Sequence, residues 1–141
     1  MYCCIKKWMM KKDMTSRKDI ELLVDEFYSK VRADETIGFI FTDMARVNWE
    51  KHLPVMYDFF ENMLFYTGSY TGNPMQLHKH INRLYPLTAA HFNQWNLLFS
   101  KTVDELFTGD MANEVKKRAK NIAAVMQIKI AAESSSSDKI F

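Results

Sequence analysis

Two histidines of this sequence lie in separate segments that are rich in aromatic residues. His52 begins the stretch HLPVMYDFF at 52–60, His78 ends the stretch NPMQLH at 73–78, and HFNQW follows at 91–95. A neutral imidazole is a good ligand for a transition metal, and large flat side chains line apolar pockets well. This combination suits a buried planar metal cofactor with one histidine below it and polar groups above it.

Other uses of the histidines fit the sequence less well. A zinc site is disfavoured because no helix carries a His-x-x-x-His pair and the two cysteines, Cys3 and Cys4, are adjacent. No Gly-x-Ser-x-Gly segment or similar nucleophile context supports a hydrolase. A helical bundle that binds a partner protein without any cofactor stays open as the alternative.

Composition and charge narrow the range of partners. The 141 residues fit one domain, and the formal net charge is only +2. Apart from a basic start, only 116–120 is locally basic, so we expect no nucleic-acid binding. The sequence contains no apolar run that could span a bilayer and no apolar core of a secretory signal. Together with the adjacent cysteines, this favours a reducing, cytoplasmic setting without membrane association.

Apolar residues recur at helical spacing through most of the chain, so the predicted fold class is all-α. Ser16 can cap a first helix, whose apolar stripe brings Tyr28 to the buried face. Asn48 can cap a later helix, which we expect to begin near Leu53 or to be kinked there because of Pro54. The stripe of the first helix consists of Ile20, Leu23, Val24, Phe27 and Val31.

The remaining helices must carry the other two aromatic-rich segments. The stretch 67–73 holds two glycines and is predicted as a loop, after which Pro74 opens a short helix over about 75–81. Thr88 caps a long helix that ends before Gly109, and one more helix follows.

The two ends of the chain fall outside this pattern. We predict a basic flexible arm at 1–16, a folded domain at 17–132, and a disordered tail at 133–141 that holds four consecutive serines. Residues 1–13 and 133–141 are expected to be dispensable for folding. An alternative is that the arm rests on an anionic membrane surface, although so short an apolar cluster binds weakly. The apolar contact would then come from Trp8, Met9 and Met10.

The motifs occur in an order that resembles a known family. The stretches FYSKVR at 27–32, HLPVMYDFF at 52–60, YTGNPM at 70–75 with His78 just beyond, and HFNQW at 91–95 are together similar to the truncated haemoglobins of the third group. Each motif alone is weak, but four in the right order over nearly the whole predicted domain are specific. The resemblance implies a shortened globin fold, in which two helices stack over two others around a haem.

The resemblance also implies roles for individual residues. His78 is implied as the ligand of a haem b iron, and its rival His80 faces elsewhere because two helical positions correspond to a rotation of about 200°. Tyr28, His52 and Trp95 match the polar positions on the distal side, where His52 is implied either as a donor to the ligand or as a gate to solvent. The apolar walls of the haem pocket are implied to come from Phe41, Met56, Phe60 and Phe92, together with Trp95.

By the same resemblance, the protein binds dioxygen and related diatomic ligands. Several distal donors would hold dioxygen too tightly for storage, which favours redox use such as nitric oxide dioxygenation or peroxide chemistry. Such turnover needs electrons, and the sequence has no nucleotide- or flavin-binding motif, so an external electron donor protein is implied. Arg83 is a candidate partner for the haem propionates, Phe60 replaces a tryptophan expected in many relatives, and a monomer is expected.

Overall fold

The computed structural model describes residues 11–139, with side chains described as far as Glu133. Within this part of the chain the regular elements are all helical. None of these helices is both long enough and apolar enough to cross a membrane. The elements are α1 Arg17–Ala33, a π-helical turn Ile40–Met44, α2 Trp49–Phe65, α3 Pro74–Leu84, α4 Ala89–Leu106 and α5 Asp110–Lys139.

Four of the helices form two stacked pairs. Helix α1 packs on α2 and on α4, while α5 packs on α4 and on α2. The apolar stripe of α1 is almost completely enclosed, and α2 and α4 each contribute a fully buried aromatic ring, Phe60 and Phe99. Burying a large side chain of this kind stabilises a fold by about 1.5–3 kcal/mol. The main core therefore lies where α1 meets α2 and α4.

Helix α2 begins earlier than the sequence predicted. It starts at Trp49, so His52 lies in its first turn and Pro54 lies one turn inside the helix. The prediction of a start near Leu53 is wrong, because a proline removes one backbone donor without preventing the turn before it from being helical. Asn48 occupies the capping position, but its side chain makes no capping hydrogen bond.

The described part of the arm predicted at 1–16 contacts the domain from Lys12 onward. The Asp13 carboxylate accepts hydrogen bonds from the backbone N–H groups of Met111 and Ala112 in the first turn of α5, both at 2.9 Å. Met14 is 1% exposed. Free N–H groups at a helix start need acceptors, and here the acceptor comes from a distant segment. Trp8, Met9 and Met10 lie outside the described residues.

Gly109 allows this contact to form. Its φ is +135°, and a Cβ atom there would lie 2.5 Å from Cγ of Asp13. Any other residue would therefore meet both an unfavourable backbone conformation and a steric clash with the capping carboxylate.

The last helix continues through the serine-rich segment. The backbone of α5 is helical to Lys139, whereas disorder was predicted from residue 133 onward. The serine-rich composition did not predict a helix here. The helix enters this segment from Glu133, which pairs with Arg83 and Lys79 of α3. Whether the last residues can be removed without loss of stability stays a prediction.

Candidate functional site

Helix α1 places Tyr28 in the centre of a group of rings. The phenol ring lies 5.5 Å from both Trp49 and His52 and 5.9 Å from Phe41, measured between ring centroids. Tyr28 is 3% exposed. Burial raises the pKa of Tyr28, and a hydrogen bond with the Trp95 side chain opposes that shift. The net effect is upward, so the hydroxyl keeps its proton at neutral pH and is available as a donor.

The first turn of α2 places His52 beside Tyr28. Its Nε2 atom is buried and has no hydrogen-bond partner within the described part of the protein. Burial lowers the pKa of His52, and the charge of His78 lowers it further. The ring is therefore neutral near pH 7. An unpaired buried polar atom costs about 1–3 kcal/mol, so this position favours a ligand that offers a polar partner.

Helix α4 contributes Trp95 to the same region. Its indole is stacked on Phe99 at 5.3 Å with an interplanar angle of 2°, and Phe99 is stacked in turn on Phe60 at 5.2 Å. Phe27 meets both Trp95 and Phe99 edge-on. This column fixes the indole, and it makes Phe60 a buried support behind Trp95.

On α3, His78 has the chemistry of a metal ligand. Its Nδ1 atom lies 2.7 Å from the carbonyl oxygen of Pro74. Because a carbonyl can only accept, Nδ1 carries the proton, and Nε2 keeps its lone pair. Burial lowers the pKa of His78, while the hydrogen bond to Pro74 raises it. His78 is half-buried, whereas His80 on the same helix is exposed.

Local sequence explains why α3 begins where it does. Pro74 is the first helical residue, where its missing N–H is no loss, and the Asn73 side chain accepts a hydrogen bond from the backbone N–H of Gln76 at 3.1 Å. The helix has no fully buried residue. It is tied to α5 by charge, because Glu133 lies 2.8 Å from Nη2 of Arg83 and 3.6 Å from Nζ of Lys79. Arg83, the candidate for the haem propionates, is thus paired with a protein carboxylate.

The predicted wall residues belong to two packing clusters. Phe41, Met56, Phe60 and Trp95 belong to the main core around Tyr28. Phe92 packs instead in a second cluster that lies against α5, with Ala123, Met126 and Ile130. Met75 of α3 and Leu87 also pack against that second cluster.

Two surface depressions lie away from these residues. One of about 460 Å³ is bordered by Leu97 and Asp104, and one of about 310 Å³ is bordered by Met75 and Met126. Neither is lined by Tyr28 or by the candidate histidines, and both are wide open to solvent. We therefore place the candidate site at Tyr28, His52, Trp95 and His78 and not at either depression.

The model of the bacterial-like globin family matches residues 13–131. The chain belongs to this family. It is 31% identical over 121 residues to Group 3 truncated hemoglobin ctb of Campylobacter jejuni subsp. jejuni, covering 84% of this chain and 93% of that relative. The crystal structure of a group III truncated hemoglobin from Campylobacter jejuni matches with a TM-score of 0.75 and 29% identity, covering 86% of this chain and 95% of that one. The predicted all-α shortened globin fold and the resemblance to the third group are confirmed.

Membership of the globin family indicates haem-based binding of small gaseous ligands. The residues of this globin fit a haem on three counts. His78 presents a lone pair on Nε2, His52 has a buried Nε2 without a protein partner, and Tyr28 keeps a hydroxyl proton. In a globin, a histidine would hold the haem iron and distal polar groups would tune the binding of its ligand.

The globin also has site residues that sequence reasoning missed. Trp49 was assigned no role from the sequence, yet its indole contacts Tyr28, His52 and Phe41. The Arg32 guanidinium lies over that indole, 4.9 Å from the ring centroid. The signal was present in the sequence, since a tryptophan three residues before a candidate distal histidine shares a helix face with it.

Proposed function

We propose that this globin binds haem b through His78 and holds dioxygen or nitric oxide in a polar distal space for redox chemistry. The observation that carries the proposal is the hydrogen bond from His78 Nδ1 to the Pro74 carbonyl oxygen, at 2.7 Å. It fixes the tautomer and ring orientation that leave Nε2 free to bind a metal. Haem, when bound there, supplies an iron that binds diatomic ligands and exchanges electrons.

The distal residues act as hydrogen-bond donors. Tyr28 keeps its proton because burial disfavours the phenolate, and the Trp95 indole N–H donates to the Tyr28 oxygen, which leaves the Tyr28 hydroxyl proton for a bound ligand. His52 is neutral, so one of its ring nitrogens carries a proton. Each such bond to a ligand contributes about 0.5–1.5 kcal/mol, and more where the ligand carries charge. Several donors acting together slow ligand release, which suits nitric oxide or peroxide detoxification better than oxygen storage.

Turnover of this kind consumes electrons. The sequence has no nucleotide- or flavin-binding motif, so we infer a separate electron donor protein. We further infer that the globin works as a monomer in the cytoplasm. Oxygen release and nitric oxide consumption measured on one reconstituted sample, with an artificial reductant, test the redox assignment. Rapid oxygen release without nitric oxide consumption would contradict it.

The ligand assignment is tested by comparing His78→Ala with His80→Ala. We expect haem added to the wild-type protein to give a Soret band. His78→Ala should abolish that band or leave haem weakly held, because no other imidazole is oriented by the α3 backbone. His80→Ala is the matched control on the same helix and should bind normally.

The opposite pattern would mean that His80 is the ligand. No Soret band in the wild-type protein would favour the cofactor-free helical bundle instead.

A further inference from the structure

Trp49 joins the residues on the distal side into one unit. Its indole contacts His52 edge-on at 5.6 Å, lies 5.5 Å from Tyr28, and is stacked against Phe41 at 6.1 Å with an interplanar angle of 27°. The Arg32 guanidinium lies over the same indole at 4.9 Å. A cation over an aromatic face at this distance is attracted by the ring quadrupole. Trp49 is therefore held by α1 on one side and holds His52 on the other.

The helical turn that carries Trp49 and His52 lacks one backbone hydrogen bond to the rest of α2. Asn48 gives it no side-chain cap. Pro54 has no N–H, so the carbonyl of Glu50 lacks the hydrogen bond that residue 54 of a regular helix would donate. The start of the turn is closed by backbone bonds, since the N–H groups of Lys51 and His52 donate to the Asn48 carbonyl oxygen at 3.2 and 2.8 Å. At its other end one bond is missing, so there its position depends more on side-chain contacts. The contact of the Trp49 indole with Arg32 is among them, and it lies at the surface because Arg32 is exposed.

We propose that Trp49 is a positioning residue that latches His52 into the distal space, and that Arg32 sets the strength of this latch. The proposal rests on the proposed haem function. While the latch is closed, His52 keeps its buried Nε2 beside Tyr28 and obstructs ligand entry. When the indole leaves Arg32, the first turn of α2, which lacks the bond from position 54, moves away and carries His52 toward solvent. Ligand access is thereby set by a cation–π contact outside the pocket.

The first test uses Arg32→Gln, which removes the cation from an exposed position and leaves the core intact. In the haem-loaded protein we expect carbon monoxide to rebind after flash photolysis roughly two- to fivefold faster, the range for loss of one exposed cation–π contact. Modification of His52 by diethyl pyrocarbonate, resolved by mass spectrometry, should accelerate by a similar factor. His80, exposed on α3, is the internal reference whose rate should not change.

Lys18→Gln is the matched control, because it removes one positive charge from an exposed position on the same helix. It should leave both rates at the wild-type value. A purely electrostatic effect on the probe would appear in both variants, whereas the latch is specific to Arg32. Equal rates in Arg32→Gln and Lys18→Gln would overturn the proposal.

A second pair of variants should move the rates in opposite directions. Trp49→Leu removes the ring altogether and should speed both carbon monoxide rebinding and His52 modification more than Arg32→Gln does. Pro54→Ala, at an exposed position, restores the backbone donor to Glu50, ties the first turn to the helix and should slow both rates. If Trp49→Leu does not fold, the surface variants Arg32→Gln and Pro54→Ala still test the proposal. Pro54→Ala with faster rates would overturn the latch.

The modification experiment separates this proposal from the proposed function. If the wild-type protein takes up no haem, the haem function fails. The rate at which His52 is modified in the haem-free chain then still tests the latch. If haem binds and His52 modification is unchanged in Arg32→Gln and Trp49→Leu, the latch fails while the haem function stands.

Discussion

The two sides of the haem site are held together by different forces. Tyr28 is 3% exposed and surrounded by aromatic rings from α1, α2 and the π-helical turn. Helix α3, which carries His78, has no fully buried residue and is tied to α5 through the ion pairs of Glu133. Apolar packing is insensitive to salt, whereas exposed ion pairs are screened by it. The proposed donors are thus held by apolar packing, while the proposed metal ligand lies on a helix that is held largely by ion pairs and by the packing of Met75.

The largest expected effect tests the side of the site that is held by apolar packing around Tyr28. Phe27 is 0% exposed and touches Tyr28, Trp95 and Phe99. Phe27→Ala should lower the free energy of unfolding by about 3–5 kcal/mol, through lost burial and the cavity left behind. Leu84→Ala on α3, where the side chain is 56% exposed, is the contrasting change and should cost far less. Similar losses in urea unfolding would break the comparison.

The next effect is on ligand release. Tyr28→Phe removes one hydroxyl at almost constant volume, so it tests the hydrogen bond and leaves the packing unchanged. Loss of a bond worth about 1.4 kcal/mol should speed dioxygen release roughly tenfold, as measured by stopped flow. Tyr66→Phe, at a side chain that is 77% exposed, is the control. Unchanged release in both Tyr28→Phe and Trp95→Phe would mean that the distal donors do not hold the ligand.

The ionic side is tested with Glu133→Gln. This change keeps the shape of the side chain but removes the charge that pairs with Arg83 and Lys79. We expect severalfold faster loss of haem to an apomyoglobin acceptor, because α3 is then less firmly attached. In the wild-type protein the same rate should rise with salt, as screening weakens exposed pairs. Glu114→Gln, which breaks an i,i+4 pair with Arg118 within α5, should do neither.

The smallest expected effect is a dependence of stability on pH. Burial lowers the pKa of both His52 and His78 in the folded protein. The unfolded chain therefore takes up protons first as the pH falls below about 6.5, and it is favoured in acid. Stability should be complete above that pH and decline as the pH falls toward the folded pKa values. Melting temperatures of the haem-free chain should show this decline, and His52→Gln should reduce it.

Local features of this fold were predictable from the sequence. The start of α3 at Pro74, the cap of α4 at Thr88 and the burial of Tyr28 all follow from short-range patterns, since capping chemistry and helical periodicity act within a few residues. The first helix was predicted correctly for the same reason.

The contacts between elements were not predictable in this way. Placing Phe92 in a second cluster depends on how α4 crosses α5. The pairing of Arg83 with Glu133 joins residues 50 positions apart. The roles of Trp49 and Arg32 depend on where α1 lies against the first turn of α2. Helix packing angles decide all three, and periodicity does not encode those angles.

The hydrogen bonds from α5 to Asp13 have a consequence for the order of folding. They join positions 98 and 99 residues apart, so they enclose nearly the whole domain in one loop. During synthesis the carboxylate emerges early, and apart from the local N–H group of Met14 it lacks its partners until residues 111 and 112 have left the ribosome. Closing so long a loop has an entropic cost that is offset only once the intervening helices are packed. The contact is therefore a late step, one that joins the beginning of the chain to a domain already assembled.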